Sequence, residues 1–373
     1  MVNLIVDLDE RFNEHARARA VTTIAGAGCT FEEERRGAAD ATLAWIDEAF
    51  GGAWSGEAHA GSNVVALRAE RTVGFATYAP EHLGYRWLRC VATEPGVGIF
   101  GPFGVDASER GGPLGGALLD AALCGLRARG YRRALIPAVG DERLQRYYAE
   151  RVRARVAERF TLRDEGAERV RTVVMASGNG TNFQSVLELA RAGTLPLEIA
   201  SLVCNKPNAF AVERARVAKI PARVAAWDRA NESREAYDAR LLDTIASERP
   251  QLLLLLGWMH LLSPAFLETF PDAINVHPAY LPFEATRDEV GLADGSVIPA
   301  FRGAHAVRDA IAAGSAWSGV SVHMVTAQAD RGPILVRKPL YIEGLPEAQV
   351  LERLHTLEHD LVPRGIMRWI YER

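Results

Sequence analysis

Asn275 and His277 stand two apart in the run Ile274-Asn275-Val276-His277-Pro278. Residues two apart on a strand share a face, so an amide and an imidazole can enter one site. The pair suits addition to a carbonyl. The Asn275 amide can donate to a developing oxyanion. The His277 ring, if protonated, donates too, or it moves the proton. Pro278 ends the ladder and stiffens the turn. Asp330, in Ala329-Asp330-Arg331-Gly332-Pro333, supplies a carboxylate that would favour a charged imidazole.

A second constellation is Ser177-Gly178-Asn179-Gly180-Thr181-Asn182, between an apolar strand and a helix pattern that begins at Phe183. Two glycines allow a tight turn. The amides that follow point out of a helix N-terminus, which attracts anions and phosphate in particular. Phe183 stands where a dinucleotide fingerprint needs its third glycine, and no Lys-Ser/Thr pair follows, so nicotinamide, flavin and Walker-type sites are disfavoured.

The remaining histidines are less pointed. His323 alternates within Ser321-Val322-His323-Met324-Val325 and reads as a strand residue with a satisfied ring. His305 sits in a glycine loop, Arg302-Gly303-Ala304-His305, near the proposed site. His355 and His359 are four apart on the final helix with no third ligand in register, so no metal is expected.

These residues need elements to hold them. In the first half, Thr42–Phe50 reads as a helix, followed by a Gly/Trp-rich loop through Gly61. Val64–Ala69 and Val73–Tyr78 read as a hairpin with Glu70-Arg71 at its tip. Gly98–Val105 and Arg132–Ala138 are further strands, and Leu114–Arg129 is a helix closed by Gly130. The chain turns polar around Arg163–Arg171, which sets the domain boundary at 168/169. Beyond it, apolar strands (Thr172–Ala176, Ile199–Cys204, Leu252–Leu256, Ile274–Val276) alternate with helical patterns (Phe183–Arg191, Phe210–Lys219, Arg234–Ser247, Pro264–Phe270). Such alternation means βαβ units and a mostly parallel sheet. Ligands of such sheets sit at the carboxyl ends of the strands, which selects Ser177–Asn182, Gly257–Leu262 and Asn275–Pro278.

Composition sets the outer limits. The 373 residues suit two domains, and 48% hydrophobic with 24% charged residues is an ordinary globular balance. Residues 1–168 hold 21 basic against 24 acidic side chains, and 169–373 hold 22 against 23. Neither half has the basic excess of a nucleic-acid binder. Cys29, Cys90, Cys124 and Cys204 form no CxxC pair, which argues against zinc ribbons and disulfide frameworks. The longest apolar run, Leu252–Met259, is far short of the ~20 residues of a membrane span. The N-terminus lacks a basic signal-peptide region. A cytoplasmic protein acting on small molecules is the expectation; the oligomeric state is left open.

From about Val170 onward the chain resembles the glycinamide ribonucleotide formyltransferases of purine synthesis. The shared pieces are Ser177–Asn182, Asn205–Phe210, Ser233–Asp238, Gly257–Leu262, Ile274–Pro278, Phe301–His305, Ser321–Thr326, Asp330–Pro333 and Glu358-His359. The resemblance implies formyl transfer from 10-formyltetrahydrofolate to a primary amine, on a Rossmann-like α/β domain. It implies that Gly178, Asn179, Gly180, Thr181 and Asn182 hold a substrate phosphate and that Glu358 binds the ribose. Asn275 and His277 would act on the formyl carbonyl, with Asp330 keeping His277 charged. Met259, His260, Leu261 and Leu262, with Thr326, Ala327, Gln328, Ala329, Asp330 and Asn275, would bracket the pterin, and Arg234 would reach the folate tail. An amine of specialised metabolism or of a nucleotide sugar is the alternative acceptor.

This sequence departs from the pattern in three places. His260 replaces an arginine and His355 a glutamine. About seventeen residues, Phe283–Pro299, intervene between Leu281-Pro282 and the glycine loop, with Asp294-Gly295 as a turn signal. That insertion would be a lid, an interface or the mark of an altered substrate.

The first half is similar to the GNAT acyltransferases, through Val64–Tyr78, Gly98–Val105, the turn Arg110–Gly116 before the helix, and Arg146-Tyr147-Tyr148. The similarity implies a GNAT-like α+β domain, with acyl-CoA pyrophosphate on the turn and Tyr148 as acid to the leaving thiol. Pro113, however, stands where a glycine amide is usual and has no N–H to offer.

Overall fold

A computed structural model describes residues 1–35, 37–52, 54–80, 95–159 and 169–372. Cys90 and the polar stretch 163–168 lie outside them. The chain divides into two compact units: Met1–Glu165 with Gly291–Val297 and Ile370–Arg373, and Gly166–Val290 with Ile298–Trp369.

The first unit runs β1 (Val2–Asp7), α1 (Glu14–Gly26), β2 (Thr30–Glu34), α2 (Asp40–Phe50), α3 (Ser55–Ala60), β3 (Ser62–Arg68), β4 (Arg71–Tyr78), β5 (Val97–Val105), α4 (Leu114–Ala128), β6 (Arg133–Val139), α5 (Glu142–Val152) and β7 (Arg155–Arg159). One seven-stranded sheet has the order β2-β3-β4-β5-β6-β1-β7. Its single parallel pair is β5 with β6. The expected hairpin is β3–β4, with Arg68 opposite Arg71. The expected long helix is α4, which buries Leu114, Leu118, Ala121 and Ala122. It ends where Gly130 takes a positive φ of +90°, the left-handed step that costs glycine little.

Two readings of this half are corrected. The Gly/Trp-rich loop holds the short helix α3, whose Ala58 and Ser55 are buried; tertiary packing overrides the loop-like composition there. Val2–Asp7, unassigned from sequence, is an interior strand between β6 and β7.

The second unit follows the alternating plan. Its strands are β8 (Val170–Ala176), β9 (Leu197–Cys204), β10 (Ala222–Val224), β11 (Leu252–Leu255) and β12 (Ala273–His277). Helices α6 (Thr181–Arg191), α7 (Phe210–Val217), α8 (Arg234–Ala246) and α9 (Pro264–Thr269) lie between them. After β12 come β13 (Glu289–Gly291) and β14 (Val297–Pro299), a small pair whose residues Gly291–Val297 belong to the first unit, then α10 (Ala306–Ala312), β15 (Trp317–Met324), β16 (Ile334–Tyr341) and α11 (Glu347–Glu372).

The main sheet has the order β10-β9-β8-β11-β12-β15-β16. β10 through β12 pair in parallel, and β15 and β16 join antiparallel. Leu252–Leu255 is buried throughout, as a strand covered on both faces must be. The Asp294-Gly295 signal is a real turn between β13 and β14, with Gly295 at φ +83° and the Asp294 carboxylate accepting from the Ser296 amide at 2.9 Å.

Candidate active site

Three loops at the carboxyl ends of β8, β11 and β12 meet around a cavity of about 590 Å³. The first follows β8. Gly180 caps α6 at φ +72°, and a Cβ there would stand 2.8 Å from that of Ala211, so only glycine fits. The loop is braced from α7: Ala211 N–H donates to Gly178 O (3.2 Å) and Arg214 Nε to Asn179 O (2.8 Å). Ser177 ties this loop to the second, its Oγ accepting from Met259 N at 3.1 Å and its amide donating to Gly257 O at 3.0 Å.

Against this loop, Glu358 of α11 is buried and accepts from Asn182 Nδ2 at 2.8 Å. Burial pushes its carboxyl up, and the Asn182 bond offsets this only in part. Asn182 Oδ1 is buried and has no hydrogen-bond partner among the described residues.

β12 brings Asn275 and His277 to the cavity on one face, as their spacing predicts. His277 Nε2 lies 2.7 Å from Phe301 O. A carbonyl only accepts, so Nε2 carries the hydrogen and Nδ1 is the nitrogen that titrates. Nδ1 is 3.5 Å from Asp330 Oδ1. His323 Nε2 is 3.6 Å from that same oxygen and 3.2 Å from Asn275 Nδ2. Since His323 Nδ1 lies 2.8 Å from Met324 O, it holds the N–H, and Nε2 accepts from the Asn275 amide. Asp330 Oδ2 accepts from the Gly303 amide at 2.7 Å.

The electrostatics correct one expectation. His277 is held below the ordinary imidazole range, because burial disfavours its charge more than Asp330 and the Phe301 carbonyl favour it. Near neutral pH the free site therefore holds a neutral His277 rather than a charged one. For Asp330, burial pushes the carboxyl up, but the neighbouring imidazoles in their charged form and the Gly303 amide outweigh it and bring it down to about 2.

The cavity lining includes Gly178, Asn179, Gly180, Thr181, Asn182, Met259, His260, Leu261, Leu262, Asn275, His277, Thr326, Ala329, Asp330 and Glu358. Arg234, Ala327, Gln328 and His305 are not part of it. Arg234 is engaged elsewhere: it pairs with Asp238 at 2.8 Å, donates to Leu261 O, and lies over the rings of Trp227 and Tyr237. His260, in the arginine position, packs edge-on to Trp258 and meets the Tyr237 hydroxyl at 3.2 Å.

Sequence reasoning missed the place of His323 on the cavity wall; Trp258, within the selected loop Gly257–Leu262, and His355 are there too. The place of His323 follows from the β12–β15 register, which sets it opposite Asn275 and which no local sequence signal carries.

The formyl transferase family model matches residues 170–284 and 293–366. The chain belongs to the formyl transferase family. The phosphoribosylglycinamide formyltransferase of Escherichia coli is 32% identical over 193 residues, which is 51% of this chain and 82% of that protein. The Bacillus subtilis protein of the same name is 31% identical over 195 residues, 52% of this chain and 91% of that one. That of Mycobacterium tuberculosis is 33% identical over 199 residues, 52% and 83%. The chain is thus a formyltransferase whose family match lies wholly after residue 169.

Proposed function

We propose that the chain moves the formyl group of 10-formyltetrahydrofolate to the amine of glycinamide ribonucleotide, as a cytoplasmic enzyme of purine synthesis. The observation that carries this reading is a single cavity bounded by an anion-binding loop at a helix start and by the Asn275–His277–Asp330 group. The loop Gly178–Asn182 takes the phosphate, with His355 beside it and Glu358 toward the ribose. Met259–Leu262 and Thr326–Asp330 bracket the pterin.

In the reaction, the amine nitrogen attacks the formyl carbon and the carbonyl electrons move to oxygen. Asn275 Nδ2 spends one hydrogen on His323 and offers the other to the oxyanion. The neutral His277 Nδ1 accepts the proton that the amine sheds. Asp330 stabilises the imidazolium so formed. The proton then goes to the folate nitrogen as its bond to the formyl carbon breaks.

We assign residues 1–168 and 169–373 as the two domains, the first GNAT-like. Its parallel pair β5–β6 and the glycine turn before α4 support that reading. Acyl-CoA does not fit that turn well. Pro113, the N-cap of α4, lacks an N–H to offer a pyrophosphate. No step is assigned to acyl-CoA.

The test is mass spectrometry of glycinamide ribonucleotide incubated with the chain and 10-formyltetrahydrofolate. The reading expects one formyl group gained. A gain confined to a phosphate-free amine would leave the formyltransferase and remove the purine substrate.

A further inference from the structure

The family match breaks at residues 285–292, and this break falls within the insertion. Asp288 lies inside it. Its Oδ1 accepts from Arg302 Nη1 at 2.8 Å and from Arg331 Nη2 at 2.6 Å. Two more guanidinium hydrogens go to main-chain oxygens of the same segment, from Arg302 Nη2 to Arg287 O (2.7 Å) and from Arg331 Nη1 to Ala285 O. The Asp288 main chain is fixed in turn, its carbonyl accepting from the Ala300 amide at 2.8 Å.

Both arginines flank the catalytic group. Arg331 follows Asp330 directly. Arg302 follows Phe301, whose carbonyl takes the His277 hydrogen, and precedes Gly303, whose amide holds Asp330 Oδ2. Arg302 Nε also donates to Asp330 O at 3.1 Å. Asp330 needs that support, because its φ of +53° is a left-handed conformation that a non-glycine residue keeps only when its surroundings impose it.

We propose that Asp288 is a positioning residue for the formyl-transfer site: it clamps Arg302 and Arg331, and through them fixes Asp330 against His277. The second-unit stretch of the insertion, residues 283–290, is then a buttress rather than a lid. Its exposed carboxylate would contribute little as an isolated surface pair. Here it is shared by two guanidiniums, and Arg302 is only 12% exposed. Without Asp288, two like charges are left side by side and the main chain at 301–303 and 330 loses its outer anchor. The groups bearing on His277 are Asp330, His323 and Arg302. A loosened Asp330 and an uncompensated Arg302 both disfavour imidazolium, so His277 titrates at lower pH and accepts the amine proton less well.

This inference rests on the reading of His277 and Asp330 given above, and one of its two measurements is independent of any substrate. In the full chain, Asp288→Asn is expected to lower kcat about tenfold, the scale of a sub-ångström misplacement, with both KM values within about twofold. Asp288→Glu should recover most of the loss. In the substrate-free chain, NMR of labelled histidine, with His277 identified by its absence from His277→Gln, should show the His277 midpoint moved down by about half a pH unit in Asp288→Asn. An unmoved midpoint with unchanged kcat overturns the proposal. So does a raised KM at constant kcat, which would make the insertion a substrate contact. If the midpoint moves while the wild-type chain fails to formylate glycinamide ribonucleotide, the buttress stands and the proposed substrate falls.

Discussion

Asn275 and His323 are register partners across the antiparallel β12–β15 pair, and their side chains meet at 3.2 Å. The hydrogen on His323 Nδ1 is committed to the Met324 carbonyl, so its Nε2 decides which way the Asn275 amide faces. An asparagine free to flip would present oxygen to an oxyanion half the time. His323 removes that freedom and leaves one N–H of Asn275 for the substrate.

The catalytic assignment predicts that His277→Ala and Asn275→Ala each lower kcat by about two to three orders of magnitude, the usual scale for an oxyanion donor or a general base. Steady-state turnover with both substrates saturating checks this. Three near-normal variants among Asn275, His277 and Asp330 replacements would remove the site.

The pH dependence has a definite sign. If His277 must be neutral to accept a proton, activity is retained above its lowered pKa and lost as pH falls through it. The acid limb of kcat/KM should therefore lie below the ordinary histidine value of 6.5. A reaction that needed charged His277 would instead lose activity as pH rises, and a pH–rate profile separates the two.

Asp330 also links pH to stability. Its folded-state pKa of about 2 lies below the unfolded value of 3.8. The ionised carboxylate therefore stabilises the fold above the unfolded value, by about 2 kcal/mol, and this is lost as pH falls from 3.8 toward about 2. Urea titrations should show that this part of the acid loss is missing in Asp330→Asn.

Gly180→Ala should be costly at two levels. The φ of +72° and the Ala211 methyl at 2.8 Å make a destabilisation of about 1–3 kcal/mol. A displaced loop should also raise KM for glycinamide ribonucleotide about tenfold and leave KM for the folate closer to wild type. Thermal denaturation and separate KM measurements distinguish the two effects.

For the first unit, calorimetry of the full chain with acetyl-CoA should give no saturable heat. Pro113 deprives the turn before α4 of one of the amides that a pyrophosphate would use. Tight binding would show that the turn rearranges.

Much of the second unit was legible because its signals are local. Buried parallel strands read as apolar runs, and Asn275 with His277 obeys the period of two. The glycine loop announced itself by composition. What stayed hidden depends on pairing between distant segments. Nothing near His323 says that it faces Asn275, 48 residues away, and nothing near Asp288 says that it joins Arg302 to Arg331. The charge state of His277 was misjudged for the same reason. Its partner Asp330 is visible in sequence, but the burial that outweighs it is not. Val2–Asp7 escaped because five buried residues and one exposed aspartate show no alternation, although the strand lies inside the sheet.

The edge-on contact of Trp258 with His260 makes the wall proposed for the pterin optically addressable. Trp258 is the one tryptophan among the described residues that lines the cavity. Its emission should respond to ligand entry without any label. Burial and the nearby Arg234 and Arg229 keep His260 below the ordinary imidazole range, so the adjoining ring stays neutral, and a poor quencher, at neutral pH. Fluorescence titration with a folate, with Trp258→Phe subtracting the other six tryptophans, would then read occupancy of that wall.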